Sequence, residues 1–457
     1  MKKLLLFILF LFVCYTQSIA QLINYNGKIY FINGVNIPWN HYSQDFGIHY
    51  QTGAQYDSTW FETAFTQFES SGINCARFWL HTDGATSPEF DSSGYVTGLD
   101  SNFFSNLDDL FNRALRHHVM LIPSIWDFNM TNNDYALGIY GGMHASLIQD
   151  TSKTKSYINN VLVPMVQRYA NQCNLLAWEI INEPEWAMNV PSGGTTTQVV
   201  SSSEMQRFVG MLAEAIHQHS SKMVTVGSAT LRYNSDKFDI TTPCAGNYWK
   251  NQAIQSAYNK PLAYLDFYEI HYYDWMNGLI SFDPFKSSTP ESYWQLDKPT
   301  IIGEAQGNST KHSPTDMLYN AFVGNYAGVL FWSYAGGADG MGLFTDFKSA
   351  LSAFRNTTPS TVDFDNSICA TTTAVEISFL KNNTSVYPNP ANNVLNISTI
   401  TNDLTSIKLF DALGNLVLEK QTTTNCSIDV NLLPQGVYYI SIVNSKSKKM
   451  EKVVVVH

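Results

Sequence analysis

Two glutamates carry the chemistry this sequence points to. Each closes an apolar run: Trp178-Glu179-Ile180-Ile181-Asn182-Glu183-Pro184 and Ile301-Ile302-Gly303-Glu304. A pair of carboxylates at the mouth of one scaffold is what cleavage of a glycosidic bond requires. One must be protonated to donate to the leaving oxygen, and the other ionised to attack or to activate water. Any single glutamate of this kind is more often a surface or salt-bridged carboxylate. Here Asn-Glu-Pro and Gly-Glu both terminate apolar segments in chain order, which makes a joint site the better reading.

Such a pair needs a scaffold that brings distant segments to one rim. Short apolar runs at 30–37, 74–80, 119–126, 175–181, 223–227, 267–271, 300–303 and 328–332 read as strands. Between the early ones, 57–71, 102–118, 155–170 and 201–220 carry apolar residues at helical spacing, clearest in Leu107, Leu110, Phe111, Ala114 and Leu115. Eight strands alternating with helices point to a (β/α)8 TIM barrel, whose chemistry sits at the C-terminal ends of the strands. Stretches 241–263 and 275–297 read as long loops that build walls of a site.

Composition bounds the rest. The chain has 457 residues, 44% hydrophobic and 14% charged, enough for a large core and unlike a disordered chain. A net charge of −11 and the lack of a dense basic stripe argue against binding nucleic acid. The aromatic content of 14%, with 10 Trp and 25 Tyr, suits a protein that stacks planar faces on a ligand. Residues 1–20 read as a cleaved signal peptide: Lys2 and Lys3, an apolar run from Leu4 to Val13 too short to span a bilayer, then Ser18-Ile19-Ala20. Without Cys14, five cysteines are left with no metal-ligand spacing, so at most one or two bridges are expected. The barrel is assigned to 21–356, a Thr/Ser/Asn-rich linker to 357–385, and a small all-β sandwich to 386–457, with strands at 394–398, 407–410, 416–419, 437–443 and 452–456.

Two resemblances follow from these residues. Val386-Tyr387-Pro388-Asn389-Pro390-Ala391, then Leu409-Phe410-Asp411 with Gly414-Asn415, then Leu433-Pro434-Gln435-Gly436-Val437-Tyr438 resemble the C-terminal sorting domain of type IX secretion cargo. That implies passage across the outer membrane and a partner in the type IX machinery. A carbohydrate-binding module is the weaker reading, because the segment has no Trp. Residues 21–355 resemble a glycoside hydrolase of clan A, closest to family 5, the cellulase and mannanase family. The resemblance assigns the acid/base to Glu183 and the nucleophile to Glu304, and gives Asn182 the sugar 2-hydroxyl. It also matches Arg77, the His271-x-Tyr273 pair and Trp332 to substrate-binding positions, with Trp332 as a stacking floor. Trp39 and Trp126 are added as substrate contacts from their places at strand ends. On this reading Arg77 and Tyr273 stand beside Glu304 and hold its pKa low, while burial and the charge of Glu304 keep Glu183 protonated. The carboxyls are expected about 5–5.5 Å apart, which gives a covalent glycosyl-enzyme and retention of configuration. Two departures leave the substrate open: Ala305-Gln306-Gly307 follows Glu304 where the family usually has Phe-Gly, and Asp127 ends the third strand where many cellulases of the family carry His.

Other candidates are weighed against bland roles. Glu179 and Glu269 are expected below the site, paired with Arg77, and Glu185 on a surface loop. His117 and His118 are expected exposed. His41 and His81 could meet sugar hydroxyls or serve structure, and Trp186, Trp249 and Trp275 could be core or platform. Asp339 and Asp346 hint weakly at a calcium loop, and no metal or cofactor is assigned. The function expected is a secreted retaining endo-β-1,4-glycanase acting on plant polysaccharide, mannan or glucomannan ahead of cellulose. An endo-β-1,4-glucanase or an exo-acting β-glycosidase stands as the alternative, and a catalytically silent glycan-binding barrel is more remote. A monomer is expected.

Overall fold

A computed structural model describes residues 22–49, 52–132, 144–238, 244–276, 281–336, 339–367, 369, 384–399, 405–411, 416–443 and 448–457. The signal-peptide assignment, most of the linker and the Leu413-Gly414-Asn415 turn lie outside them. The chain forms two units, one ending at Ile368 and a second from Cys369 to His457.

In the first unit eight parallel strands close a barrel. They are β1 (Ile32–Asn36), β2 (Cys75–Thr82), β3 (Met120–Asp127), β4 (Ala177–Asn182), β5 (Met223–Ser228), β6 (Tyr268–Tyr272), β7 (Thr300–Gln306) and β8 (Gly328–Trp332). Nearly every residue of these strands is buried, as expected where the barrel interior covers one face and helices the other. The helix Ser58–Ser70 starts at Asp57, which caps the amides of Thr59 and Trp60, and buries Phe61, Ala64, Phe65 and Phe68. Ser202–His219 begins with a Ser201/Glu204 capping box. The helix expected over 155–170 runs as Thr151–Tyr157 and Val163–Arg168, joined by a π turn at Ile158–Leu162. Pro164 supplies no backbone donor there, and the wider turn accommodates the loss. The stretch read as a loop over 241–263 holds the helix Asn251–Ala257.

The front of the expected linker belongs to this unit. Pro359–Val362 is helical, Val362 and Phe364 are buried, and Asn74 donates to the Val362 carbonyl. A Thr/Ser-rich composition hid those two apolar anchors. Cys75 is a buried thiol. Among the described residues no helix is long and apolar enough to cross a membrane.

The second unit has two antiparallel sheets. One is ordered β9-β10-β13, from Thr384–Tyr387, Val394–Thr399 and Cys426–Asp429. The other is ordered β12-β11-β14-β15, from Leu416–Thr422, Thr405–Phe410, Gly436–Val443 and Lys448–Val455. Leu395, Ile397, Ile407, Leu409, Ile428, Ile440 and Val453 form its core. The sandwich is the one expected, with β9 and β13 added.

Candidate active site

The barrel places its chemistry by interrupting its own pleat. Residues alternate faces along a strand, so one extra residue reverses the alternation. In β7 the register against β6 shifts at Ile270/His271: Ile270 pairs with Ile302, and His271 pairs with Glu304. Gly303 is the extra residue. A Cβ there would lie 2.2 Å from Glu269 Oε1, so the side-chain direction of Gly303 points at the inward-facing Glu269. The bulge lets Glu304 face inward directly after it. In β4 a shift between Glu179 and Asn182 against β5 does the same for that pair. Glu183 follows in a left-handed turn at φ 45° and opens the 3-10 turn Pro184–Ala187.

Arg77 is the hub. It is wholly buried and donates Nη1 to Glu304 Oε1 (2.7 Å) and Asn36 Oδ1 (3.0 Å). Its Nη2 donates to Glu179 Oε1 (2.7 Å) and Asn182 Oδ1 (2.6 Å), and its Nε faces Glu179 and, at 2.8 Å, Glu269 Oε1. Glu179 and Glu269 thus pair with Arg77 beneath the site, where the sequence put them. Burial, together with the charge of Glu179, drives the Glu269 carboxyl well above its usual range.

Glu304 also accepts from the Tyr273 hydroxyl at 2.5 Å. Its carboxyl was expected to be held low, and the balance goes the other way. Burial raises it, against His271, Arg77 and the Tyr273 hydrogen bond, which all favour the ionised form. Glu183 receives His271 Nδ1 at 2.7 Å on Oε1 and donation from Trp186 Nε1 at 2.7 Å on Oε2. Burial pushes its pKa up to about 7, with Glu179 adding and Trp186 and Arg77 opposing. His271 Nδ1 also lies 3.6 Å from Glu304 Oε2, and one oxygen of each glutamate and this nitrogen all fall within 4.8 Å of one another. Burial lowers the His271 pKa to about 4, so the ring is neutral at pH 7.

Over this cluster lies a cleft of about 290 Å³. Trp39, Trp79 and Trp332 meet edge to face, with centroids 5.6–6.2 Å apart. The Arg77 guanidinium stacks 4.2 Å from the Trp79 ring centroid. Asp339 Oδ2 accepts from Trp332 Nε1 (2.7 Å) and fixes the ring, and Asp346 accepts from the Leu343 amide, so both aspartates hold local structure. Trp186 and Trp275 line the cleft, as do Glu183, Glu304, Asn182 and Tyr273. A larger hollow of about 470 Å³ lies by Asn74, at the strand starts. Its Arg355 pairs with Asp363 and its His117 with Glu69, so it presents no convergent free groups.

Several candidates sit elsewhere than expected. Trp126 is wholly buried, with Tyr157 and His81 ring centroids 5.4 and 5.0 Å away, so it is core and does not reach the cleft. Glu185 is wholly buried and accepts from Ser228 Oγ, the Ala229 amide and Trp249 Nε1, which also makes Trp249 core. His81 is a core histidine between Ser87 and Tyr157, and half-exposed His41 pairs with Asp45. His117 is mostly covered by Glu62 and Glu69, whereas His118 is exposed. Sequence reasoning missed Trp79, two positions past Arg77. It took Asp127 only as a departure that leaves the substrate open; Asp127 accepts from Asn182 Nδ2 (2.7 Å) and is pushed up to about 7 by burial.

Comparison with known proteins places this arrangement. The chain is 32% identical over 331 residues to a mannan endo-1,4-β-mannosidase of Mytilus edulis, covering 68% of this chain and 85% of the relative. It is 31% identical over 336 residues to one of Cryptopygus antarcticus, covering 69% and 83%. The structures of the β-mannanase of Mytilus edulis (TM-score 0.63, 29% identity, 73% of this chain and 94% of that one) and the endo-1,4-β-mannanase of Eisenia fetida (0.64, 29%, 72% and 92%) share the barrel. Residues 385–456 match the secretion system C-terminal sorting domain, which directs export by type IX secretion. The chain belongs to glycoside hydrolase family 5, alongside these mannan endo-1,4-β-mannosidases, and is a glycosidase that carries its own secretion signal at the C-terminus.

Proposed function

We propose that the protein is a retaining endo-β-1,4-mannanase. Glu304 attacks the anomeric carbon while Glu183 protonates the departing glycosidic oxygen, leaving a glycosyl ester on Glu304. Glu183, now ionised, then takes a proton from water that attacks the same carbon and releases the sugar. The observation that carries this reading is the carboxyl pair. A Glu183 oxygen and a Glu304 oxygen lie within 4.8 Å, which favours the roughly 5–5.5 Å carboxyl separation of retaining enzymes over the roughly 6.5–9.5 Å of inverting ones. The surroundings divide the roles. Glu304 takes Arg77 and Tyr273, which favour the charged nucleophile, whereas the Glu183 pKa of about 7 leaves it protonated below neutrality and able to act as base after proton transfer.

Asn182 is held by Arg77 on its oxygen and by Asp127 on its nitrogen, so its amide is fixed toward the sugar 2-hydroxyl. Trp332 and Trp39 supply the stacking faces. Mannan as substrate rests on the names of the relatives. Wild type and Glu304→Gln, incubated with mannan, glucomannan, carboxymethylcellulose and xylan, test this reading. Wild type alone should release short oligomers, fastest from mannan. Monosaccharide as the sole early product would overturn endo action, and preference for carboxymethylcellulose would overturn the substrate.

A further inference from the structure

The indole of Trp186 touches the carboxyl proposed as acid/base, three residues before it, through its only polar atom. Glu183 sits at the head of the 3-10 turn Pro184–Ala187, and that turn swings Trp186 back so that Nε1 meets Glu183 Oε2 at 2.7 Å. An indole N–H can only donate. It therefore binds a carboxylate oxygen more strongly than a carboxylic acid oxygen, because donation to a charged acceptor is about twice as strong. During glycosidic cleavage Glu183 passes from acid to anion, and this hydrogen bond strengthens as the proton leaves. An interaction stronger in the transition state than in the ground state accelerates the step.

We propose that Trp186 is a positioning residue for glycosidic cleavage: its indole N–H holds Glu183 Oε2 and stabilises the negative charge that develops there as the acid gives up its proton. This rests on Glu183 being the acid/base. Burial alone would keep Glu183 protonated and leave it a poor base in the second half of the cycle. Trp186 offsets that burial with a donor that carries no charge of its own. The other groups facing Glu183 come from the barrel: Arg77 on β2, Asp127 on β3, Glu179 on β4, His271 on β6, Tyr273 just beyond it and Glu304 on β7. Their hydrogen bonds run to one another and to Glu183 rather than to the indole, so a change confined to the indole nitrogen leaves them in place.

The test is Trp186→Phe in the full chain, which keeps an aromatic face and removes the N–H. Rates are followed against pH on mannan oligosaccharides, which need acid assistance, and on dinitrophenyl β-mannoside, whose leaving group does not. Loss of the donor should raise the Glu183 pKa, moving the alkaline limb of kcat/KM upward by about one pH unit. The oligosaccharide kcat should fall about tenfold, and release of dinitrophenolate much less. The position of the limb does not depend on how much of the variant is folded. An unmoved limb with equal losses on both substrates would overturn the proposal and leave Trp186 as a wall of the cleft. Glu183→Ala run alongside separates the two claims: if it cleaves oligosaccharide like wild type, the acid/base assignment itself is wrong.

Discussion

At the scale of single residues the site is a contest between burial and pairing. Two carboxylates a few ångströms apart would repel if both were charged, and the surroundings separate them. Arg77 and Tyr273 attach to Glu304, whereas Glu183 is answered by a neutral histidine and an indole. Glu304→Gln is accordingly expected to lower turnover roughly a thousandfold or more while still binding oligosaccharide, which steady-state kinetics and calorimetric titration would check. The Glu183 pKa of about 7 has a further consequence. A carboxyl whose pKa is raised on folding contributes stability below its unfolded value near 4.5 and loses it as pH rises toward 7. Glu183→Gln, which cannot ionise, should therefore melt higher than wild type at pH 7 and close to it at pH 4. Equal melting differences at both pH values would mean that Glu183 is not held neutral by the fold. Residue types marked this site well in sequence: the two glutamates, Arg77, Asn182, His271 and Tyr273 converge as the family resemblance implied. Burial was harder to read. Glu185 looks like a loop carboxylate, yet it sits under Ser228 and Trp249, because a polar residue shows its partners only in three dimensions.

At the scale of elements, the eight strands and their order follow from apolar runs, since a strand covered on both faces must be apolar throughout. What the runs conceal is where the pleat slips. Strict alternation sets Gly303 and Glu304 on opposite faces of β7, and Glu179 and Asn182 on opposite faces of β4. The register shifts at both places bring each pair to the interior. No residue type announces a bulge, although Gly303 is a trace of one. Its missing side chain is what Glu269 occupies, since a Cβ would stand 2.2 Å from Oε1 and 2.3 Å from Cγ of that buried glutamate. Gly303→Ala should thus displace Glu269 or the strand carrying Glu304, lowering kcat at least tenfold together with Tm. Pairing it with Glu269→Ala should recover part of both, and strictly additive losses in that double-mutant cycle would refute the contact. Trp126 shows the limit of counting along a strand. A tryptophan at a strand end is aimed at the cleft by counting, yet Trp126 packs among Tyr157 and His81, neighbours that the strand pattern does not show.

At the scale of the whole molecule, two units do separate work. The barrel carries the cleft, and residues 385–456 carry the address for export. The sandwich was legible because short alternating strands and Pro/Gly turns recur in order, while β9 and β13, short and bordered by polar sequence, were not. Removing residues 385–456 should leave the chain inside the outer membrane of its host while catalysis persists in lysate. Undiminished activity in the culture medium would show that export does not need the sorting domain.

In the proposed mechanism Glu304 forms a covalent bond to sugar that Glu183 then helps to break. Proton NMR of the anomeric region during the first minutes of mannopentaose hydrolysis tests it most directly. Through a covalent glycosyl-enzyme the newly formed reducing end should appear as the β anomer and mutarotate to α only afterwards. Initial appearance of the α anomer would mean inversion, a single displacement by water, and would contradict the assignment of Glu304 as nucleophile.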